Sequence, residues 1–232
     1  FFKQKTAYEI GTGDWSSDVC SSDLNKPVED INVITCHLGN GASVSAVKGG
    51  KCMDTSMGLT PLDGLIMGTR CGSIDASVVF FLCDRLNMTP EQVKDVFNKN
   101  SGMLALSGIS SDMRPIEEGY IKGEPKCVLA FDMYAYRLAK FIASYYIPLG
   151  HVDAISFAGG IGENCDIIRE LTCNLLKECF GVEIDKELNS KFLGFKGNGS
   201  GKISTETSKV SVFMIQTNEE LMIARSAMKF VK

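Results

Sequence analysis

The sequence predicts an α/β domain with a mixed sheet flanked by helices, and three observations lead there. Three short strand-like runs succeed one another between residues 31 and 56 with only glycine turns between them. After residue 74, helical and strand-like patterns alternate. The run VDAISFAGG (152–160) reads as a buried strand that enters a glycine turn in front of a long amphipathic segment. A meander gives antiparallel pairs and strand-helix alternation gives parallel ones, so the sheet should be mixed.

INVITCHL (31–38) is a β-branched run, closed by Gly39-Asn40-Gly41; ASVSAV (42–47), the Gly49-Gly50 turn and CMDTS (52–56) complete three strands. IDASVVFFLCDRL (74–86) is apolar on one helical face. TPEQVKDVF reads as a second helix, with Thr89 as N-cap, Pro90 at its first position and Gln92 completing a capping box. A longer amphipathic helix runs from Lys126 to Tyr146 and is stopped by Pro148-Leu149-Gly150. The strand at 152–160 precedes the helix CDIIRELTCNLLKECF, and GFKGNGSGKIS (194–204) reads as a surface loop. The strand VSVFMI (210–215) and the helix EELMIARSAMKF (219–230) come last.

Composition narrows the function. With 232 residues, 44% of them hydrophobic, and a net charge of −4, the chain can bury a real core and offers no basic footprint for nucleic acid or anionic lipid. The longest apolar runs are too short to span a membrane, and no secretory signal opens the chain, so the expected address is the cytoplasm. Nine cysteines without a C-x-x-C pair indicate neither a disulfide framework nor a zinc knuckle. Small-molecule chemistry is expected. Residues 1–24, FFKQKTAYEIGTGDWSSDVCSSDL, show no sustained period and resemble the translated read-through of a sequencing adapter. They are expected to be non-native, with residues 25–232 forming the domain.

Five stretches could carry chemistry. His37-Leu38-Gly39-Asn40-Gly41 lies between two strands, where glycines can bring backbone N–H groups to an anion; an ordinary hairpin turn is the plainer reading. Gly159-Gly160-Ile161-Gly162-Glu163-Asn164 is a strand-to-helix turn able to seat a nucleotide, and it departs from the dinucleotide fingerprint at Asn164. Met67-Gly68-Thr69-Arg70-Cys71-Gly72 frames a guanidinium with glycines, a planar fork suited to a transferring phosphoryl group, although taken alone a surface Arg in a loop is the plainer reading. Ser111-Asp112-Met113-Arg114 could hold a ribose and a phosphate or simply pair with itself, and is read as a loop. In Thr217-Asn218-Glu219-Glu220 a carboxylate could serve a Mg²⁺ shell, or Asn218 could be only an N-cap. Nothing supports a hydrolytic triad, since His37 and His151 are the only histidines.

Taken together in this order, HLGNGAS (37–43), DTSMGLTPLDGLIMGTRCGSID (54–75), SGISSDMR (107–114), FAGGIGEN (157–164) and TNEELMIA (217–224) resemble the acetate kinase family and its propionate kinase relatives. Ala76 departs from the family's usual Pro. The resemblance implies the nucleotide-binding C-terminal domain of the two-domain sugar kinase, Hsp70 and actin-like ATPase fold, with ATP/ADP and Mg²⁺, acetate as acceptor, and a homodimer. It implies that His37, Leu38, Gly39, Asn40 and Gly41 line the phosphates and that Arg70 steadies charge on the transferring group. Asp112, Met113, Arg114, Gly160, Ile161, Gly162, Glu163 and Asn164 are implied to hold the nucleoside, Pro61 to border the acyl pocket, and Glu219 to serve the metal. The family's N-terminal domain, with its own Asn, Lys, Arg, Asp and His, has no counterpart in the residues given, so this stretch alone is expected to bind ATP weakly and to lack kinase activity. A propionate or butyrate kinase, or a non-catalytic nucleotide-binding half-protein, is the alternative.

Overall fold

A computed structural model describes residues 17–217 except Asn198. The described residues hold β1 (Asn32–Leu38), β2 (Ala42–Lys48), β3 (Lys51–Thr55), β4 (Ala154–Ala158), β5 (Gly201–Lys202) and β6 (Ser211–Met214). They form one mixed sheet in the order β3-β2-β1-β4-β6-β5. The meander is as expected: β1 and β2 run antiparallel from Leu38↔Ala42 to Asn32↔Lys48, and the Gly49-Gly50 turn, with φ of 53° and 71°, returns the chain into β3. β4 lies parallel to β1 and β6 lies parallel to β4.

Both faces of the sheet are covered, which explains why β1 is an uninterrupted buried run. Ile34, Cys36 and Leu38 point into the larger core, whereas Val33 joins Ile31, Ala154, Phe213 and Ile215 on the other face. The larger core is closed by α5 (Pro125–Ser144) and α8 (Asp166–Phe180). Phe131, Tyr134, Leu138 and Ile142 of α5 recur at helical spacing and share one cluster with Ile168, Leu176 and Phe180 of α8.

Several boundaries differ from expectation for local reasons. Helix α1 (Ser77–Leu86) starts three residues late because the Asp75 carboxylate accepts the Ser77 N–H at 2.8 Å. No residue of α1 is buried. Helix α2 (Pro90–Lys99) has both arms of the expected capping box. Helix α3 (Gly102–Ser107) precedes Ser111–Arg114, and that stretch, read as a loop, runs into α4 (Met113–Ile121), with Asp112 as the N-cap of α4 and Arg114 in its first turn. The long helix α5 begins at Pro125 and ends at Ser144, and a short α6 (Tyr146–Leu149) comes next. The glycine turn after β4 is itself a helix, α7 (Gly159–Asn164), and α9 (Lys186–Lys191) precedes the segment read as a surface loop. That segment is not all loop: Gly194–Lys196 form a 3-10 turn, and β5 pairs with β6 because Ile203, fully buried, anchors its return.

Within the segment set apart by its composition, residues 17–24 form a helix, and Cys20 is buried against Ile31, Val33 and Phe213. The expected helix at 219–230 lies outside the described residues. All the described cysteines are free, and five of the nine, including Cys36 and Cys173 in the core, are buried. No described helix is long and apolar enough to cross a membrane.

Candidate functional site

The three parallel strands β1, β4 and β6 end at the same edge of the sheet, where His37 pairs with Ala158 and Phe157 with Met214. Each of these strands leads directly into a motif singled out from the sequence: β1 into the Gly39–Gly41 turn, β4 into α7, and β6 into the residues up to Thr217. The carboxyl ends of parallel strands are where α/β sheets bind ligands, because the connections diverge there and leave a crevice. A cleft of about 790 Å³ opens at this edge. It is lined by Gly39, Asn40, Asp112, Met113, Arg114, Gly160, Ile161 and Asn164 of the expected set, together with Ser111, Glu117, Cys165 and Phe195. His37, Leu38, Gly41, Gly162, Glu163, Arg70 and Pro61 do not line it.

The reasons differ residue by residue. Leu38 is fully buried in the larger core and can offer only its backbone. His37 is 8% exposed, and burial lowers its imidazole to a pKa of about 4, against the smaller opposing pull of the Glu163 charge. Gly159, at φ 77°, lies so close that a Cβ there would sit 2.8 Å from His37 Nε2. The Gly39–Gly41 stretch is a three-residue hairpin turn in which Gly39 N–H donates to Gly41 O at 2.9 Å. Gly41 needs no positive φ; it needs space, because a Cβ would come 3.3 Å from Arg70 Nη1.

Arg70 is half-buried on a loop that the fold fastens tightly. Gly68 N–H donates to Asn40 O, Met67 N–H to Arg70 O, and the first amides of α3, from Met103 and Leu104, donate to Met67 O and Gly68 O. Arg137 Nη1 donates to Ser73 O at 2.9 Å and holds the far end of the same loop. Arg70 Nη1 donates to Pro61 O at 3.2 Å and touches Met67 Sδ at 3.6 Å. Its Nε and Nη2 make no hydrogen bond to the described residues, so one half of the fork is set and the other half is open to a ligand. Pro61 is exposed and meets Arg70 through its carbonyl.

Four members of the expected nucleoside set are occupied with the protein. Glu163 Oε1 accepts from Gly159 N–H at 3.0 Å, from Thr217 N–H at 3.0 Å and from Thr217 Oγ1 at 2.7 Å. Asn164 Nδ2 donates to Gly160 O, and its Oδ1 accepts from Phe195 N–H. Asp112 and Arg114 pair with each other: Nε and Nη2 of the exposed guanidinium grip both carboxylate oxygens, and these bonds hold the Asp112 carboxyl below its usual range. The plainer sequence reading of that pair is therefore what the structure displays, at the rim of the cleft.

Glu117 and Arg169 were not singled out from the sequence. Glu117 is half-buried in the cleft and accepts from Cys165 Sγ at 3.6 Å, and burial pushes its carboxyl above the usual range. Arg169 is fully buried with no carboxylate partner among the described residues: its fork donates to Asn189 Oδ1, Asn189 O, Gly162 O and Phe192 O. Its three N–H directions hold α7, α9 and the chain after α9 in one arrangement. One cue was available, since an Arg on the apolar stripe of a helix needs buried acceptors. Among the described residues no cluster of three or more His, Cys, Asp or Glu side chains could hold a metal ion. Glu219 lies outside the described residues.

A mixed α/β sheet whose parallel strands β1 and β4 lead into glycine-rich turns beside one cleft, with an arginine fork fixed next to Gly41, places a crevice at the carboxyl ends of its parallel strands. The chain belongs to the acetokinase family, whose model matches residues 11–225. It is 51% identical over 208 residues to an acetate kinase from Shewanella sp. (strain ANA-3), covering 90% of this chain and 51% of that relative. The chain thus spans about half the length of the curated relatives it matches. Among solved structures it is similar to the acetate kinase of Porphyromonas gingivalis, with a TM-score of 0.89 and 36% identity, covering 97% of this chain and 55% of that one. It is also similar to a propionate kinase from Francisella tularensis, with a TM-score of 0.85 and 40% identity, covering 95% of this chain and 54% of that one.

Proposed function

We propose that this domain works within an enzyme about twice its length that transfers the γ-phosphoryl group of ATP reversibly to acetate, giving acetyl phosphate and ADP. The observation that carries the reading is Arg70, fixed through Nη1 on Pro61 O beside Gly41, with Nε and Nη2 making no hydrogen bond among the described residues. Phosphoryl transfer asks mainly for positioning and for stabilisation of spread negative charge, and a rigid guanidinium supplies both. In this reading the backbone of residues 37–41 and the start of α7 face the phosphates, while the Ser111–Arg114 rim, Ile161 and Asn164 border the nucleoside. Glu163 acts through the backbone that it holds. Buried His37 is neutral at cellular pH, so it adds no charge beside the phosphates. Mg²⁺ bound to the phosphates would neutralise part of their charge, with Glu219 as its carboxylate.

The test is acetyl phosphate formation, trapped as the hydroxamate, by the full-length enzyme supplied with ATP, Mg²⁺ and acetate. Arg70→Ala should lower kcat by about a thousandfold with little change in the KM for ATP, the size expected when a charge-stabilising group is lost; an unchanged kcat sinks the assignment. Propionate belongs in the same assay, because the propionate kinase similarity makes it the second acceptor to consider.

A cytoplasmic homodimer is part of the same reading. The dimer is supported by α1, where Phe80 and Phe81 are 67% and 59% exposed on a helix with no fully buried residue. Phe80→Ser with Phe81→Ser should convert the dimer to monomer in sedimentation.

A further inference from the structure

We propose that Phe195 is the platform on which the base of the bound nucleotide lies, an assignment that rests on the nucleotide reading of the cleft. Phe195 lines the cleft and yet is 71% exposed, so the fold itself gains little from its ring. Isolated exposed apolar side chains are common on mobile surface loops, but the backbone under this one is fastened from several sides. Asn164 Oδ1 accepts the Phe195 N–H at 2.8 Å while its Nδ2 donates to Gly160 O at 2.9 Å. Gln216 Nε2 donates to Gly194 O at 3.0 Å. Gly194 packs so closely on α7 that a Cβ there would come 2.8 Å from Glu163 Oε2. The turn at Gly194–Lys196 is thereby tied to α7, which lines the cleft, and to Gln216 in the chain after β6.

The slot around the ring suits a flat aromatic ligand. A Cβ on Gly160 would meet nothing within 4 Å, so the floor beside the turn is open, and Ile161 and Met113 give it apolar walls. Of the polar groups that line the cleft, Asp112 is spent on Arg114 and Asn164 on two backbone groups, while Glu117 keeps a half-buried carboxyl there. Phe195 itself can recognise a base only through its π-face, and every base has such a face. The ligand class is therefore a nucleotide base held by stacking, with weak discrimination among bases.

The test compares ATP, GTP and inorganic tripolyphosphate, titrated against the wild type and against Phe195→Ala and Phe195→Trp. Phe195→Ala should weaken ATP and GTP in similar proportion, by about tenfold, and leave tripolyphosphate unchanged. Phe195→Trp should restore affinity and show indole quenching on addition of ATP. ATP binding indifferent to Phe195→Ala overturns the platform alone, as does an equal loss for tripolyphosphate, which would mark a merely structural residue. Failure of the wild type to bind ATP at all overturns the nucleotide reading and the platform with it.

Discussion

Thr217 gives both its backbone N–H and its hydroxyl to one oxygen of Glu163, at 3.0 and 2.7 Å, across 54 positions of sequence. The same oxygen takes the Gly159 N–H, so a single carboxylate ties the start of α7 to the chain leaving β6. Each donor meets a charged acceptor, the stronger kind of hydrogen bond. Glu163→Ala should cost about 2–3 kcal/mol and, for a chain of this size, lower Tm by roughly 4–10 °C. Differential scanning calorimetry reads this directly, and an unchanged Tm would show that the tie is redundant. Nucleotide affinity should fall as well, because α7 loses its anchor.

His37 should make stability depend on acid. Its folded pKa is lowered to about 4, whereas the unfolded side chain keeps its ordinary value near 6.5. As pH falls from 6.5 to 4 the unfolded state takes up a proton that the folded state refuses, so stability is complete above this window and is lost through it. The loss reaches about 3 kcal/mol at its lower end. Urea unfolding at a series of pH values should show His37→Gln flattening this part of the profile; identical profiles would place the titration elsewhere.

Arg169 should be among the most costly positions to change. It is fully buried and makes four hydrogen bonds to uncharged oxygens, three of them backbone carbonyls. Arg169→Met keeps much of the volume but strands those acceptors, at a cost of about 3 kcal/mol or more. Arg169→Lys should recover little of this, because an ammonium cannot present the planar fork. Denaturant midpoints test both variants, and a mild effect of Arg169→Met would show that water replaces the guanidinium.

Removing residues 1–24 should separate fold from site. Cys20 covers Ile31, Val33 and Phe213 on the sheet face away from the larger core. The shortened chain should bind a hydrophobic dye more strongly and unfold at lower temperature. ATP affinity should stay the same, since no residue of the helix at 17–24 lines the cleft. An unchanged Tm would mean that the helix contributes nothing to stability.

The amino-acid pattern by itself determined the local devices. The meander from 31 to 56, the Gly49-Gly50 turn, the Thr89 capping box and the long apolar stripe of α5 each depend on residues within a few positions of one another. Backbone stereochemistry and side-chain spacing settle such features. The glycine motifs were legible for the same reason, and so was their order along the chain. Short helices such as α3 and α7 were not, because six residues carry too little periodicity to separate from a turn.

Only the tertiary structure decided which motifs share a cleft and what each polar side chain does there. The parallel register of β1, β4 and β6 brings Gly39, Gly160 and Thr217 to one edge, and register between strands so far apart is fixed by packing on both faces of the sheet. That same packing commits Glu163 to Thr217, Asn164 to Phe195 and Arg169 to Gly162, Asn189 and Phe192, and leaves Glu117 and Phe195 facing the cleft. A carboxylate and its donors 54 positions apart have no shared local pattern, so folding alone brings them together.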